Sequence, residues 1–354
     1  MGLLSMFSIA NKKIGNQFEP FIIAEISANH NGSLNKAMQI ISAAAAAGAS
    51  AVKIQTYTAD TMTLPLDLPD FKINEGLWAG YNLYDLYNEA HTPYSWHEAL
   101  FKHANELGII LFSSPFDETA VDLLVSLNAP AYKVASFELV DIPLIQYIAR
   151  QKKPILMSTG MACEDEIGEA VEAARSVGCD NVLLFHCISG YPTPIEEANL
   201  NNLLYIKKHF NVEVGLSDHT IGSTAAMASI ALGAVAIEKH FTFSRQEKGP
   251  DSEFSMEPEE LQSLVRETRR VWQALGVGML KRSKSELKNI QFRRSIYFVE
   301  DLAEGAVITK TDIRRIRPGY GLAPKYFDEL IGRKVSKAVK RGEPVSWDVL
   351  KSED

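Results

Sequence analysis

Eight short apolar runs recur along the first two-thirds of the chain, nearly all ending in polar or charged residues. They are Phe21–Ser27, Ala51–Tyr57, Ile109–Pro115, Ala131–Ser136, Pro154–Thr159, Val182–Ser189, Val212–Asp218 and Ala234–Phe241. Each gap between them is long enough for one helix. Strand and helix alternating eight times is the α/β pattern of a closed parallel (β/α)8 TIM barrel. In that fold reactive groups gather at the C-terminal ends of the strands. Glu25, Lys53, Gln55, Ser114, Lys133, Ser136, Ser158, His186, Ser217, Asp218, His219, Glu238, Lys239 and His240 all fall there. So many ionisable groups on one rim point to an enzyme.

At 354 residues and 46% hydrophobic composition, the chain is long enough for about two domains with a real core. Its 44 acidic and 36 basic residues give a net charge of −8 with no long block of one sign. That disfavours a nucleic-acid partner, which calls for a basic stripe. A small anionic substrate remains compatible, because a pocket can be basic inside an acidic protein. Cys163, Cys179 and Cys187 form no CxxC and no paired framework, which points to a reducing, cytoplasmic setting. The opening MGLLSMFSIANKK lacks the pattern of a secretory signal. Position 6 is Met rather than Ser or Thr, so myristoylation is not expected. No run reaches the ~18 residues of a membrane span.

The expected division is an N-terminal hairpin plus barrel over 1–275, a linker over 276–288, and a small β-rich domain over 289–354. The hairpin spans Phe7–Glu19 with a turn near Asn11–Lys13, capping the barrel from below. Ser33 is an N-cap candidate for the first helix, whose Ala43–Ala47 stretch reads as plain helix. Glu257–Leu275 reads as a long amphipathic helix closing the barrel. The connection after the second strand, Thr58 to about Thr92, is long. A loop of that size on the catalytic face is a lid or specificity element, or else a helical decoration that merely packs. In the last domain Leu302–Ile313 and Val339–Leu350 echo one another, each with a glycine turn and a short Asp-apolar element.

His219 and His240 end neighbouring strands, within several ångströms of each other in a barrel. Two imidazoles there can hold one divalent metal and leave open positions for substrate; the alternative is that one is a satisfied core or phosphate-binding histidine. Lys53 and Lys133, with Ser136, Ser158 and Ser217 around them, suit a phosphate or a phosphorylated carboxylate. No Walker loop or GxGxxG opens a helix, so a nucleotide is not indicated. Either lysine could instead form an imine, as in aldolases, or a structural ion pair with a barrel glutamate. Glu25 ends the first strand, and alternation puts Glu238 on the same side as His240. Each can serve as ligand, orienting group or base.

The segments AEISANHNG, KIQTY, FSSPF, YKVAS, STGMA, HCISGYPTP, GLSDHT and IEKHF, in this order, resemble the sialic acid synthase family. RPGYGLAP and the GxxV echoes resemble its C-terminal antifreeze-like (SAF) domain. Residues 70–97 look most like the pseudaminic acid synthase branch. One departure is Ile188-Ser189, where sialic acid synthases tend to carry Thr-Asn or Thr-Ser, consistent with a different sugar.

The resemblance implies condensation of phosphoenolpyruvate with an N-acylated amino sugar. It also implies a divalent cation, usually Mn2+ (with Mg2+ or Co2+ as substitutes), that polarises the sugar's aldehyde. Carried over by motif, His219 and His240 are the metal ligands. Lys53, Ser114, Lys133, Ser136, Ser158 and Ser217 take phosphoenolpyruvate. Gln55, Tyr191 and Asp251 meet the sugar, and Glu25 sits beside the reacting carbons and handles a proton. Arg317 reaches the sugar's N-acyl group from the partner subunit of a domain-swapped homodimer. The product is a nine-carbon 2-keto acid for flagellin or another surface glycan. An N-acetylneuraminate or legionaminic acid synthase is the nearest alternative. Outside this class stand an imine-forming barrel aldolase and a non-catalytic protein that binds glycans or ice.

Overall fold

The computed structural model describes residues 7–352. A hairpin of β1 (Phe7–Ile9) and β2 (Lys12–Ile14) precedes the barrel strands. These are β3 (Phe21–Glu25), β4 (Ala51–Thr56), β5 (Ile110–Pro115), β6 (Tyr132–Val134), β7 (Ile155–Ser158), β8 (Val182–Cys187), β9 (Glu213–Asp218) and β10 (Ala236–His240). All eight neighbours are parallel and the sheet closes, β10 pairing with β3. The expected barrel is therefore present, with every strand inside its anticipated run. The helices that return the chain are α1 (Leu34–Ala46), α2 (Ala59–Met62), α3 (Leu83–Ala90), α4 (His97–Leu107), α5 (Glu118–Ser126), α6 (Ile142–Ala149), α7 (Glu164–Ser176), α8 (Asn202–Phe210), α9 (Thr224–Ala231) and α10 (Pro258–Leu275). Ser33 caps α1 as anticipated, its hydroxyl accepting from the Lys36 amide at 3.4 Å.

Strand alternation sorts the side chains into two cores. Ile22, Ala24, Val52 and Ile54 point outward and pack under the helices. Phe21, Ile23, Ala51, Phe112, Ala131, Leu156, Leu183, Phe185 and Ala236 fill the lumen, and the hairpin's Phe7, Ile9 and Ile14 plug its lower end. The apolar filling stops one layer short of the top. There the same inward positions continue as Glu25, Lys53, Ser114, Lys133, Ser158, Ser217 and Glu238, all buried. Gly215 is needed at its inward position, since a Cβ there would lie 2.6 Å from the Phe185 ring and 2.8 Å from the Ala236 carbonyl.

The chain divides into compact units after Gly276. The second unit pairs β11 (Ser295–Phe298) antiparallel to β12 (Ile313–Ile316) over a core of Ile296, Phe298, Ile308, Val335, Val339 and Val345. Its two sequence echoes join at their starts, where Leu302 and Val339 exchange backbone hydrogen bonds of 3.0 and 2.9 Å. Gly305 and Gly342 hold equivalent turns at φ +82° and +91°. No helix among the described residues is long and apolar enough to cross a membrane.

Candidate active site

The top polar layer floors a cavity of about 420 Å³ at the C-terminal mouth of the barrel. Lys53 Nζ lies 2.8 Å from Glu25 Oε2 and 3.7 Å from Glu238 Oε1, and Lys133 Nζ lies 2.8 Å from Glu238 Oε1. Two lysines and two glutamates thus meet in a buried site. Each lysine is ion-paired with a barrel glutamate. Burial opposes charge on every member, and the neighbours decide the outcome. Lys133 and Lys53 outweigh burial at Glu238 and hold its carboxyl low. At Glu25 burial wins over Lys53, Glu238 adds repulsion, and the carboxyl is raised. Burial is likewise opposed at Lys53 by Glu238 and Glu25, which keep it charged. Lys133 is lowered by burial, with Lys53 adding to the effect. Ser217 donates to Glu238 Oε1 at 3.0 Å, and Lys53 donates to Ser114 Oγ at 3.3 Å. Ser114 therefore supports Lys53 and does not line the cavity.

A hydroxyl cradle stands beside Lys133. The Gly160 amide donates to Ser136 Oγ at 3.2 Å. A Cβ at Gly160 would lie 2.2 Å from Ser189 Oγ and 2.7 Å from Ser136 Oγ, so only glycine lets both hydroxyls come this close. The buried hydroxyls of Ser158 and Ser189 have no hydrogen-bond partner among the described residues. Hydroxyls and an ammonium there suit a phosphate's oxygens. Ser189 entered the sequence reading only as part of the Ile188-Ser189 departure, and Gly160, which follows a strand end in STG, was not singled out.

On the opposite side, Gln55 Nε2 donates to Glu25 Oε1 at 3.0 Å and to Ser27 Oγ at 3.1 Å. Ser27 in turn donates to Asp251 Oδ2 at 2.5 Å. Tyr191 covers His219 with ring centres 4.3 Å apart. His219 and His240 are 5.4 Å apart, centre to centre. The Ile188 carbonyl lies 2.8 Å from His219 Nδ1. Because a carbonyl only accepts, Nδ1 carries a proton and Nε2 is left for a ligand, while Cys187 beside the ring and the Ile188 carbonyl outweigh burial and raise its pKa. His240 Nδ1 is buried without a partner. Burial, His219 and Lys53 push that ring's pKa well below its ordinary value, so it is neutral. Two imidazole nitrogens fit one divalent cation with open positions for substrate and water, the cation displacing any proton held at His219 Nε2. Among the described residues no group of three or more His, Cys, Asp or Glu is placed to hold a metal.

Three rim residues stand elsewhere. Lys239 and Asp218 pair with each other at 3.0 Å on the outer face of the barrel, and His186 is 2.8 Å from the Ala198 carbonyl. Strand parity explains all three: they alternate with Glu238, Ser217 and Cys187, which line the cavity. Arg317 is exposed in the second unit, before the cis bond to Pro318.

Two elements add what the sequence reading had left open. The 58–92 connection does reach the cavity, contributing Met62, Ile73, Trp78, Leu83, Leu86 and Tyr87 as an apolar wall. Glu138, in the turn after β6, also lines it. Its Oε2 is buried without a partner, and burial pushes its pKa up to about 7, with Asp141 adding to the effect. A carboxyl near 7 suits proton transfer at neutral pH. Its signal was an acid two residues beyond Ser136 at a strand end.

The model of the NeuB family matches residues 40–279, two-thirds of the chain, and that of the SAF domain matches residues 293–351. The chain belongs to the NeuB family. It is 43% identical over 334 residues to the pseudaminic acid synthase of Campylobacter jejuni subsp. jejuni serotype O:23/36, covering 94% of this chain and 96% of the relative. With the pseudaminic acid synthase of Helicobacter pylori it shares 42% over 330 residues, 93% and 97% of the two chains. Among solved structures, the N-acetylneuraminic acid synthetase of Leptospira borgpetersenii superposes with a TM-score of 0.73 at 31% identity. That match covers 81% of this chain and 95% of the other. The family expected from the motifs is thus the family found.

Proposed function

We propose that this chain joins phosphoenolpyruvate to 2,4-diacetamido-2,4,6-trideoxy-L-altrose and water, giving pseudaminic acid and phosphate. It is a transferase that forms a carbon–carbon bond. The observation that carries the choice of sugar is the lining of the cavity. Lysines and hydroxyls line its floor, and the 58–92 connection adds an apolar wall. A 6-deoxy sugar with two acetamido groups has methyls for that wall. The pseudaminic acid synthases described above support the same choice.

Lys53, Lys133 and the Ser136–Ser158–Ser189 cradle hold the phosphate and carboxylate of phosphoenolpyruvate. Gln55, Tyr191 and Asp251 orient the sugar's open-chain form. When bound between His219 and His240, a divalent cation (Mn2+ in our reading) supplies Lewis acidity at the aldehyde oxygen. The enol carbon bonds to the aldehyde carbon, and the aldehyde oxygen gains a proton, for which Glu25 is placed. Water adds to the phosphate-bearing carbon and gives a proton to Glu138. The new hydroxyl then passes its proton to the departing phosphate as the bond from that carbon to the phosphate oxygen breaks, leaving a ketone and free phosphate. The lysines hold charge that shifts along this path, so they stabilise transition states as well as bind.

A domain-swapped homodimer completes this reading, with the SAF domain of one subunit over the partner's barrel mouth and Arg317 on the sugar's acyl oxygen. Two features support it. Residues 277–354 carry 17 Lys and Arg against 11 Asp and Glu in a chain of net charge −8. Exposed Phe137, Met161, Ile195 and Ile221 stand on successive strand-to-helix connections at the mouth. Three free cysteines agree with a cytoplasmic enzyme.

The test is phosphate release from phosphoenolpyruvate with a panel of amino sugars. We expect kcat/KM at least tenfold higher for the trideoxy sugar than for N-acetylmannosamine. Equal values would reject the assignment, and a preference for a legionaminic acid precursor would move the chain to that branch. Borohydride labelling of Lys133 in the presence of substrate would favour the imine mechanism instead.

A further inference from the structure

We infer that Trp78 determines sugar specificity: its indole walls the sugar side of the cavity and its N–H latches residues 72–82 to the loop that carries Asp251. The inference rests on the proposed reading that the cavity takes a deoxy diacetamido sugar.

Residues 72–82 form a flap folded on itself. Lys72 and Asn82 pair antiparallel, Ile73 N donates to Tyr81 O at 2.9 Å, and Gly80 N donates to Ile73 O at 2.9 Å. Gly76 and Gly80, at φ +82° and +95°, turn the chain on either side of Trp78. At the flap's base Asn82 Nδ2 donates to Leu66 O at 2.8 Å. At its tip the indole Nε1–H donates to the Pro250 carbonyl at 3.0 Å, 172 residues along the chain. The next residue is Asp251, buried and bonded to Ser27. One hydrogen bond therefore fixes the flap to the segment that presents a sugar-facing carboxyl.

The ring does more than anchor. It lines the cavity and lies 5.5 Å from Tyr191, which covers His219. With its N–H engaged by Pro250, the indole offers the cavity only carbon. A C6 methyl or an acetamido methyl can rest on it and leave no polar group unpaired. A C6 hydroxyl against the same surface loses a water partner and finds none, which discriminates by roughly tenfold to a hundredfold. The wall thus rejects a hydroxylated sugar as much as it attracts a deoxy one.

Steady-state kinetics with 2,4-diacetamido-2,4,6-trideoxy-L-altrose and with N-acetylmannosamine test this on full-length wild type, Trp78→Ala and Trp78→Phe. The circular dichroism spectrum and Tm of each are checked first. We expect Trp78→Ala to lower the ratio of the two kcat/KM values at least tenfold while KM for phosphoenolpyruvate stays within twofold. Trp78→Phe keeps an apolar ring but no N–H. It should hold most of the preference and raise KM for the trideoxy sugar severalfold. A folded Trp78→Ala enzyme with the wild-type ratio overturns the inference and leaves the proposed function standing. A wild-type enzyme that does not turn over the trideoxy sugar overturns the proposed function itself.

Discussion

Lys239 Nζ donates to Asp218 Oδ2 at 3.0 Å, joining two residues that sit directly opposite one another on β9 and β10. Lys239 also donates to the Thr220 carbonyl, and Asp218 Oδ1 accepts from the Thr220 amide at 2.9 Å. The pair is buried on the outer face, one residue before His219 and His240 on the inner one. It therefore sets the spacing of the two strand ends that carry the imidazoles. Lys239→Met leaves a buried carboxylate unpaired and should cost about 3–5 kcal/mol in denaturant unfolding. Lys239→Met/Asp218→Leu removes both charges and should recover most of that stability without recovering cation affinity. Mn2+ titration followed by electron paramagnetic resonance measures the latter. We expect one ion per wild-type chain, loss of turnover on chelation with recovery on Mn2+ addition, and at least tenfold weaker binding in the double variant. Wild-type affinity in that variant would show that the pair does not position the histidines.

Glu138 should govern the pH profile. Its pKa, raised to about 7 by burial, makes it half ionised at neutral pH. As the group that accepts the water's proton it must be ionised, so kcat/KM should rise between pH 6 and 8. Glu138→Gln should abolish that rise and lower kcat by about 10²- to 10⁴-fold. The same shift has a stability sign. The folded state holds the proton up to a higher pH than the unfolded one, so ionisation destabilises the fold as pH rises from 4.5 through 7. Glu138→Gln should therefore be more stable than wild type at pH 8, by up to about 3 kcal/mol. A variant that is no more stable at pH 8 would contradict the burial cost.

His97 should contribute acid sensitivity. It is buried, with Nε2 2.8 Å from Thr56 Oγ1 and Nδ1 3.1 Å from the Pro93 carbonyl. Burial lowers its pKa to about 4 from an ordinary 6.5. Between those values the unfolded chain binds the extra proton, so stability falls as pH drops below 6.5. From pH 7.5 to pH 5 this costs about 2 kcal/mol. The stability gap between wild type and His97→Gln, read from urea unfolding, should shrink by about that amount over the range. A gap independent of pH would mean that His97 takes up its proton equally in both states.

Arg317 should act in trans. His240→Ala and Arg317→Ala proteins are each expected to be inactive. After subunit exchange, a mixed dimer has one site with both residues intact, and activity should return towards half per dimer. No recovery despite exchange confirmed by mass spectrometry would place Arg317 within its own chain's site, or outside catalysis.

Much of this was legible in the sequence because a barrel strand writes its geometry into alternation. Each anticipated run contained its strand, and the inward parity of Glu25, Lys53 and Glu238 follows from their spacing to Phe21, Ala51 and Ala236. The same rule assigns Asp218, Lys239 and His186 to the outer face once their neighbours are placed inside. Naming the whole rim ignored that parity. Glu138 was hidden for another reason. An acid two residues beyond Ser136 marks the place, but the raised pKa comes from burial, which residue type alone does not record. Gly160 was hidden too, since its contribution is the room it leaves between two hydroxyls 53 residues apart, Ser136 and Ser189.

The neutralised floor of the cavity has a calorimetric consequence. Phosphoenolpyruvate brings a carboxylate and a phosphate to ammonium groups already matched by Glu25 and Glu238. Glu238 shares its proton-repelling hold on charge with both lysines, whereas Glu25 is already driven towards its neutral form by burial. An arriving anion completes that drive, so the substrate enters together with a proton from solvent. Titration in buffers of different ionisation enthalpy should then give different apparent heats, with a slope that shows net proton uptake. Glu25→Gln, which carries its hydrogen permanently, should flatten that slope.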